Sequence, residues 1–494
     1  MKKLIPLILI ISLLFSSCQL KAENITETTE NSTEESTTAV YTEYISQTET
    51  QTDPTEETTL KNIITAISSS VASTLAALKP VKPSQTKSTT VKKTEKQTEK
   101  QTEKSTSAAT TKPTTKASTK PQTTASAVTQ NEIRGIWISC YDHVSAADKT
   151  KEQYRASTDA MFKNIKDMGL NTAFVHLRAF SDAFYQSEIY PYSSFIAGKE
   201  GADLPFDPFA VMLESAKQYE ISVHGWINPF RVSTKKDISL LSTKNPAKEI
   251  LDSGNSDGEI CILSNGIYYN PSCPSNHKRI IDGVREIISK YDIDGIHIDD
   301  YFYPSTAESV DKKQYSEYKA DGGTLSLADW RRNCVNAFVS SLYSAVKAVD
   351  SSLIFSISPA GQLDKNYNEY YADCELWLSH TGYADLIIPQ IYFGFEHETL
   401  AFNSLLNGWG NLSRTSGVKL ACGIAAYKCE TTDKYAGTGS AEWKNNTDIL
   451  SRQLTEIRKN RNYGGFVVFS YQDLNRTACK TEISNLKNTI TGKN

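Results

Sequence analysis

From about residue 134 onward, short apolar runs alternate with longer stretches whose apolar positions recur every three or four residues. The runs at 134–141, 172–178, 222–228, 294–300, 353–358, 385–392, 419–425 and 465–470 read as strands. Helical periodicity follows them, most clearly at 151–168, 276–291, 327–349 and 443–460. Strands apolar on both faces, separated by amphipathic helices, are what parallel βαβ units require, because the sheet is covered on both sides. Eight such units predict an α/β fold, a closed (β/α)8 TIM barrel. A doubly wound open sheet is the alternative, but no Gly-rich phosphate fingerprint follows the first strand. A barrel of this kind carries its site at the C-terminal ends of the strands.

The preceding residues have a different character. Lys2 and Lys3 are followed by an apolar run from Leu4 to Phe15, too short for a comfortable membrane span and typical of an export signal. It closes on Ser16-Ser17-Cys18, which resembles a lipobox in which Cys18 is lipidated and becomes the mature N-terminus. Residues 19–130 are dominated by Thr, Ser, Glu, Lys and Gln, acidic at first and basic later, with a weakly apolar interruption at 60–78. Such a segment buries too little apolar surface to offset its ordering entropy, so a disordered tether is expected, with an r.m.s. span of roughly 60 Å. The expected organisation is therefore a signal over 1–18, a linker over 19–130 and a folded domain over 131–494. This predicts an extracytoplasmic lipoprotein held to a membrane by acyl chains, with a monomeric domain.

Formal charge is only −4, and no strongly basic patch occurs in the folded part, which argues against a nucleic-acid partner. Of nine cysteines, Cys261/Cys273 and Cys422/Cys429 are close enough in sequence to invite pairing, although spacing does not settle connectivity. No metal-type CxxC pair is present. His176, His224 and His297 fall on three successive strands but lack a paired His-x-His or Cys partner, and read as core or substrate-binding imidazoles; no metal and no cofactor are expected.

Candidate chemistry gathers at predicted C-terminal strand ends. The fourth strand runs into Asp294-Gly295-Ile296-His297-Ile298-Asp299-Asp300-Tyr301-Phe302-Tyr303-Pro304, two carboxylates among aromatic rings. On a regular strand His297, Asp299 and Tyr301 share one face, taken as the barrel interior, while Asp300 turns toward a neighbouring strand or loop. Asp299 is the first-choice catalytic carboxyl and Asp300 its companion. The second strand adds Arg178 and Asp182, the third Trp226, Asn228 and Arg231, the sixth Gln390 and Tyr392, the eighth Asp473. Planar donors and acceptors suit hydroxyls and acetamides, and Trp226, Tyr301, Tyr303 and Tyr392 offer faces for a pyranose ring. The seventh strand ends without an acid, leaving Asp182, Glu396 and Asp473 as candidates for a second carboxyl, or a substrate acetamido group acting as internal nucleophile with Asp300 and Tyr392 orienting it.

The motifs Arg134-Gly135-Ile136-Trp137, Asp182-Ala183-Phe184-Tyr185, Gly225-Trp226-Ile227-Asn228-Pro229-Phe230-Arg231, Tyr269-Asn270-Pro271, the fourth-strand run and Pro389-Gln390-Ile391-Tyr392, in that order, resemble the bacterial glycosyl hydrolase-like 10 proteins over about residues 132–471. The resemblance implies a (β/α)8 barrel that hydrolyses glycosidic bonds, some members acting on peptide-free peptidoglycan strands. The fourth strand is also similar to the Asp-Gly-x-Asp-x-Asp-x-Glu strand of family 18 chitinases, but His297 and Tyr301 stand where that pattern has Asp and Glu. The expected partner is a cell-wall glycan, with N-acetylhexosamine units. A noncatalytic glycan-binding barrel and a hydrolase of another extracellular polysaccharide are the alternatives.

Overall fold

The computed structural model describes residues 132–493. The export signal, Cys18, the linker and the weak helix expected at 60–78 lie outside the described residues. Strands β1 (Ile133–Ile138), β2 (Thr172–Arg178), β3 (Ser222–Ile227), β4 (Arg231–Ser233), β5 (Ile260–Leu263), β6 (Gly266–Tyr269), β7 (Gly295–Ile298), β8 (Ile354–Ile357), β9 (Leu386–Ile387), β10 (Lys419–Leu420), β11 (Cys422–Ala425) and β12 (Gly465–Phe469) form two sheets. Nine are parallel, in the order β10-β9-β8-β7-β3-β2-β1-β12-β11. β10 and β11 are two pieces of one extended segment: the first pairs with β9, the second with β12. Ala421 N–H donates to Ile387 O and Gly423 N–H to Pro389 O, both at 2.9 Å, so the ring closes as a (β/α)8 barrel. The sixth strand is shorter than expected because Pro389 has no N–H; beyond Ile387 the chain pairs only through single bridges such as Gln390 to Gly423.

Every residue of β2, β7, β11 and β12 is buried, as strands sandwiched between an interior and a helical layer must be. Helix Lys151–Asp167 starts in a capping box between Thr150 and Gln153, Pro208–Gln218 is capped by Asp207, and Leu327–Val349 by Ser326. The helix expected over 443–460 is two helices, Glu442–Asn445 and Ile449–Lys459, broken at Asn446-Thr447-Asp448, residues of low helix propensity. At the strands' N-terminal ends, carboxylates knit the ring: Asp294 accepts from Val223 N–H and Asp385 from Phe355 N–H, each at 2.7 Å.

The interior is a stack of rings. Trp137, Phe174, His224 and His297 project inward from four strands, with Phe174 4.8 Å from the His224 ring and 4.7 Å from the His297 ring. Glycines make the room: a Cβ at Gly295 would lie 2.4 Å from Ile354 O, and one at Gly423 would lie 3.1 Å from the Trp137 ring. One element has no forerunner in the strand pattern. β4, β6 and β5 form an antiparallel sheet after β3, pairing Arg231 with Tyr268. This small sheet carries Arg231 to the barrel mouth.

Candidate active site

β7 ends at Ile298, and the next two residues lie at the mouth as non-strand backbone. Asp299 is 2% exposed and Asp300 9%. Asp299 Oδ1 accepts from Tyr301 N–H at 3.3 Å, while Oδ2 is buried without a hydrogen-bond partner. Burial pushes the Asp299 carboxyl well above the usual carboxylate range, and the negative charge of Asp300 pushes it further; Tyr301 N–H, Arg231 and the Trp226 indole N–H pull the other way. Asp300 is raised too, chiefly by burial, but its anion is favoured by Gln390, whose Nε2 donates to Oδ1 at 3.2 Å, and by the charges of Lys365 and Arg231. The two adjacent carboxyls share their titration, and burial with mutual repulsion favours a proton held on the pair, the stronger upward push falling on Asp299.

Arg231 stacks on Tyr301 at 4.2 Å and on Phe180 at 5.0 Å, which fixes the guanidinium between the β2 and β7 loops. Trp226 stacks flat on His176, centroids 3.7 Å apart and planes 6° from parallel. His176 Nδ1 accepts from Cys140 N–H at 3.2 Å, so the proton of the neutral ring sits on Nε2, facing Asn228. His176 Nε2 faces Asn228 Oδ1 and the Trp226 indole N–H faces Asp299, two loosely made pairs of buried polar groups. They come from three adjacent strand ends. Opposite them, Tyr392, Tyr427 and Phe469 form an aromatic wall, with Tyr392 5.7 Å from Phe469 and 5.9 Å from Tyr427, and Trp137 beneath.

His297 lies one layer lower. Trp137 donates its indole N–H to Nε2 at 3.1 Å, so the imidazole proton is on Nδ1 and goes to Ser356 Oγ at 2.8 Å; Ser358 Oγ lies 3.0 Å from Nε2. Burial lowers its pKa well below the usual value, keeping the ring neutral. His297 is a support under the site, not a surface group beside a substrate.

Three other residues expected at the substrate are engaged by the protein itself. Arg178 donates to Phe180 O and Pro229 O at 3.2 and 2.9 Å, holding two loops together. Tyr303 packs on Tyr371 and on the Arg331 guanidinium, in the core around the buried Arg331–Asp311 ion pair. Asp473 accepts from Ser470 N–H at 3.2 Å and lies 3.6 Å from Arg476 Nε, closing a turn. Their polarity at strand ends could not distinguish a loop brace from a ligand contact. Asp182 is buried within the β2 loop near Ser193 and Glu200; burial raises it to about 7, and its Oδ1 has no partner. Asp142, not singled out by the strand pattern, accepts from Ser139 N–H and Gln472 N–H, both at 2.7 Å, and ties the first strand's loop to the last. Glu396 is exposed; its N–H and that of Phe395 both donate to Glu442. Tyr427, at the end of a strand without an acid, was not among the expected site residues, and its signal was its place on the seventh strand end.

The model of the family described as glycosyl hydrolase-like 10 matches residues 132–438, most of the barrel. The chain belongs to this family. Glycosyl hydrolase YngK of Bacillus subtilis is 30% identical over 375 residues, covering 71% of this chain and 70% of that protein. Glycosyl hydrolase DigH of Escherichia coli K12 is 27% identical over 393 residues, covering 72% of this chain and 86% of DigH. Among solved structures, the catalytic domain of β-amylase from Paenibacillus polymyxa aligns over 74% of this chain and 99% of that one, with 12% identity and a TM-score of 0.46. Membership makes this a glycoside hydrolase-like barrel, with a carbohydrate as the implied ligand class. In the family member described here, the paired carboxylates, the aromatic wall and Arg231 all stand at the barrel's C-terminal mouth.

Proposed function

We propose that the protein is a glycoside hydrolase that cleaves the N-acetylhexosamine backbone of cell-wall glycan. The observation that carries this reading is the adjacent pair of carboxyls, Asp299 and Asp300, buried at the barrel mouth, both pushed above the usual carboxylate range, with Arg231 and the aromatic wall beside them. A carboxyl whose burial favours the protonated form suits donation to a glycosidic oxygen as the bond breaks. The other carboxylates near the mouth are engaged by the protein: Asp142, Asp473 and Glu442 hold backbone amides, and Asp182 is buried with Ser193 and the Phe180 backbone as hydrogen-bond partners.

This favours attack by the sugar's own acetamido oxygen on the anomeric carbon. Asp300, steadied by Gln390, accepts the acetamido N–H and balances the developing positive charge. Asp299 gives its proton to the leaving oxygen, then takes one from the water that opens the cyclic intermediate. Tyr392, Tyr427 and Trp226 supply faces for the sugar ring.

Export and lipidation at Cys18 complete the reading, holding the barrel to a membrane beside its wall polymer. Incubation with isolated peptide-free glycan strands tests the function; new reducing ends are expected. Retention of polymer without them would make the barrel a binder, and activity confined to glucans would move the substrate. For the anchor, Cys18→Ser is expected to release the protein from the membrane fraction, and unchanged association would remove lipidation from the account.

A further inference from the structure

The fold brings together two thiols that sequence spacing does not pair. Cys429 follows the aromatic wall residue Tyr427, and Cys479 stands immediately before the last helix, Lys480–Thr491. Both are buried, their thiols lie within hydrogen-bonding reach of each other, and Cys479 Sγ also lies 3.8 Å from Ala426 O. Arg476 Nε and Nη2 donate to Cys479 Sγ at 2.9 and 2.8 Å, and Nη2 also reaches Tyr427 O and Cys429 O at 3.0 Å. Elsewhere Cys273 lies near Cys261 and Cys334, but Cys261 turns to Val310 O, Cys273 to Gly258 O and Cys422 to Gly423 O, and among the described residues only the Cys479 sulfur takes guanidinium N–H groups.

We propose that Cys429 and Cys479 form a disulfide that clamps the Tyr427 wall of the cleft to the C-terminal helix, with Cys479 as the attacking sulfur. A guanidinium with two N–H groups on the Cys479 sulfur favours its thiolate, while Cys429, which meets the same guanidinium through its carbonyl oxygen, keeps its proton until the second step. The oxidant is a small or protein disulfide outside the cell. Cys479 thiolate attacks one of its sulfurs, forming a mixed disulfide and expelling a thiolate. That thiolate takes the Cys429 proton, and Cys429 sulfur then attacks the Cys479 sulfur and expels the second thiolate. Two electrons pass to the oxidant, which leaves as two thiols once the second thiolate takes up the proton that Cys479 released. Because both sulfurs are buried, exchange belongs to folding or to loosening of the last helix. The link closes a loop of about fifty residues, long enough for a substantial entropic effect on the unfolded chain. It does not depend on what the cleft binds.

The test is the full chain refolded with oxidised and reduced glutathione, digested without reduction and mapped by mass spectrometry. A Cys429–Cys479 linked peptide is expected, with two thiols lost and a Tm higher by on the order of 5 °C than in the reduced protein. Cys429→Ser is expected to trap glutathione on Cys479 at least tenfold faster than Cys479→Ser traps it on Cys429. Thiols that all remain titratable, a link joining Cys422 to Cys429 instead, or equal trapping rates would overturn the proposal.

Discussion

Gln390 Nε2 donates to Asp300 Oδ1 at 3.2 Å and to Ser358 O at 2.9 Å, so one amide spans from the end of β8 to the acid that follows β7. The bridge makes the two neighbouring carboxyls unequal: Asp300 gains a donor that favours its anion, and Asp299 does not share it. Gln390→Ala is expected to lower kcat about tenfold or more while leaving the fold intact, since the side chain sits at the mouth and not in the packed interior. Steady-state kinetics with a circular dichroism control checks this; an unchanged kcat would mean the bridge only joins strands.

Buried Asp182 makes stability depend on pH. Its pKa rises from 3.8 to about 7 in the folded state, so the native protein holds this proton more tightly than the unfolded chain. The contribution is fully present below the unfolded value, is lost as pH rises from about 4 to about 7, and stays lost above. Asp182→Asn is expected to stabilise the protein by about 1–3 kcal/mol at pH 8 relative to its effect at pH 4. Thermal melts of both proteins across that range measure it, and a pH-independent difference would refute it.

The Arg331–Asp311 pair is fully buried, with two guanidinium nitrogens on the carboxylate at 2.8 and 2.6 Å and further donations to Thr306 O and Ala307 O. Arg331→Met is expected to cost about 3–5 kcal/mol, because Asp311 is then buried without its cation. Adding Asp311→Asn should recover part of that loss. Denaturant unfolding of the single and double variants decides it.

Gly295 has no space for a side chain: an added Cβ would lie 2.4 Å from the Ile354 carbonyl oxygen and 2.7 Å from the His224 ring. Gly295→Ala is expected to destabilise by about 1–3 kcal/mol through overpacking at the β7–β8 seam. Equal stability in denaturant titration would show that the barrel yields there.

The barrel could be read from the chain because its strands are buried on both faces, and each leaves a continuous apolar run; β2 lies where that run predicts it, at Thr172–Arg178. The β4–β6 sheet was not visible, since its strands are three or four residues long and sit between turn residues. At the site, period-two alternation put His297 on the interior face, where its ring meets the Trp137 indole. It carried no information on depth, so a core support and a group at the mouth looked alike. Arg178 and Asp473 show the same limit: hydrogen bonds to distant loop carbonyls and to a turn amide have no sequence period. The Cys429–Cys479 contact depends on where the last helix docks, which local spacing cannot express.

The central claim is that Asp299 is the acid, and the pH dependence of kcat/KM on peptide-free glycan strands tests it most directly. In the wild type, activity is expected to fall as pH rises through the elevated Asp299 pKa, because the acid must be protonated to act. Asp299→Asn should lower kcat by about 10²–10⁴ with binding largely retained and should lose that alkaline limb, while Asp300→Asn keeps it. An Asp299→Asn enzyme that remains folded and turns over with a wild-type rate and profile would contradict the account.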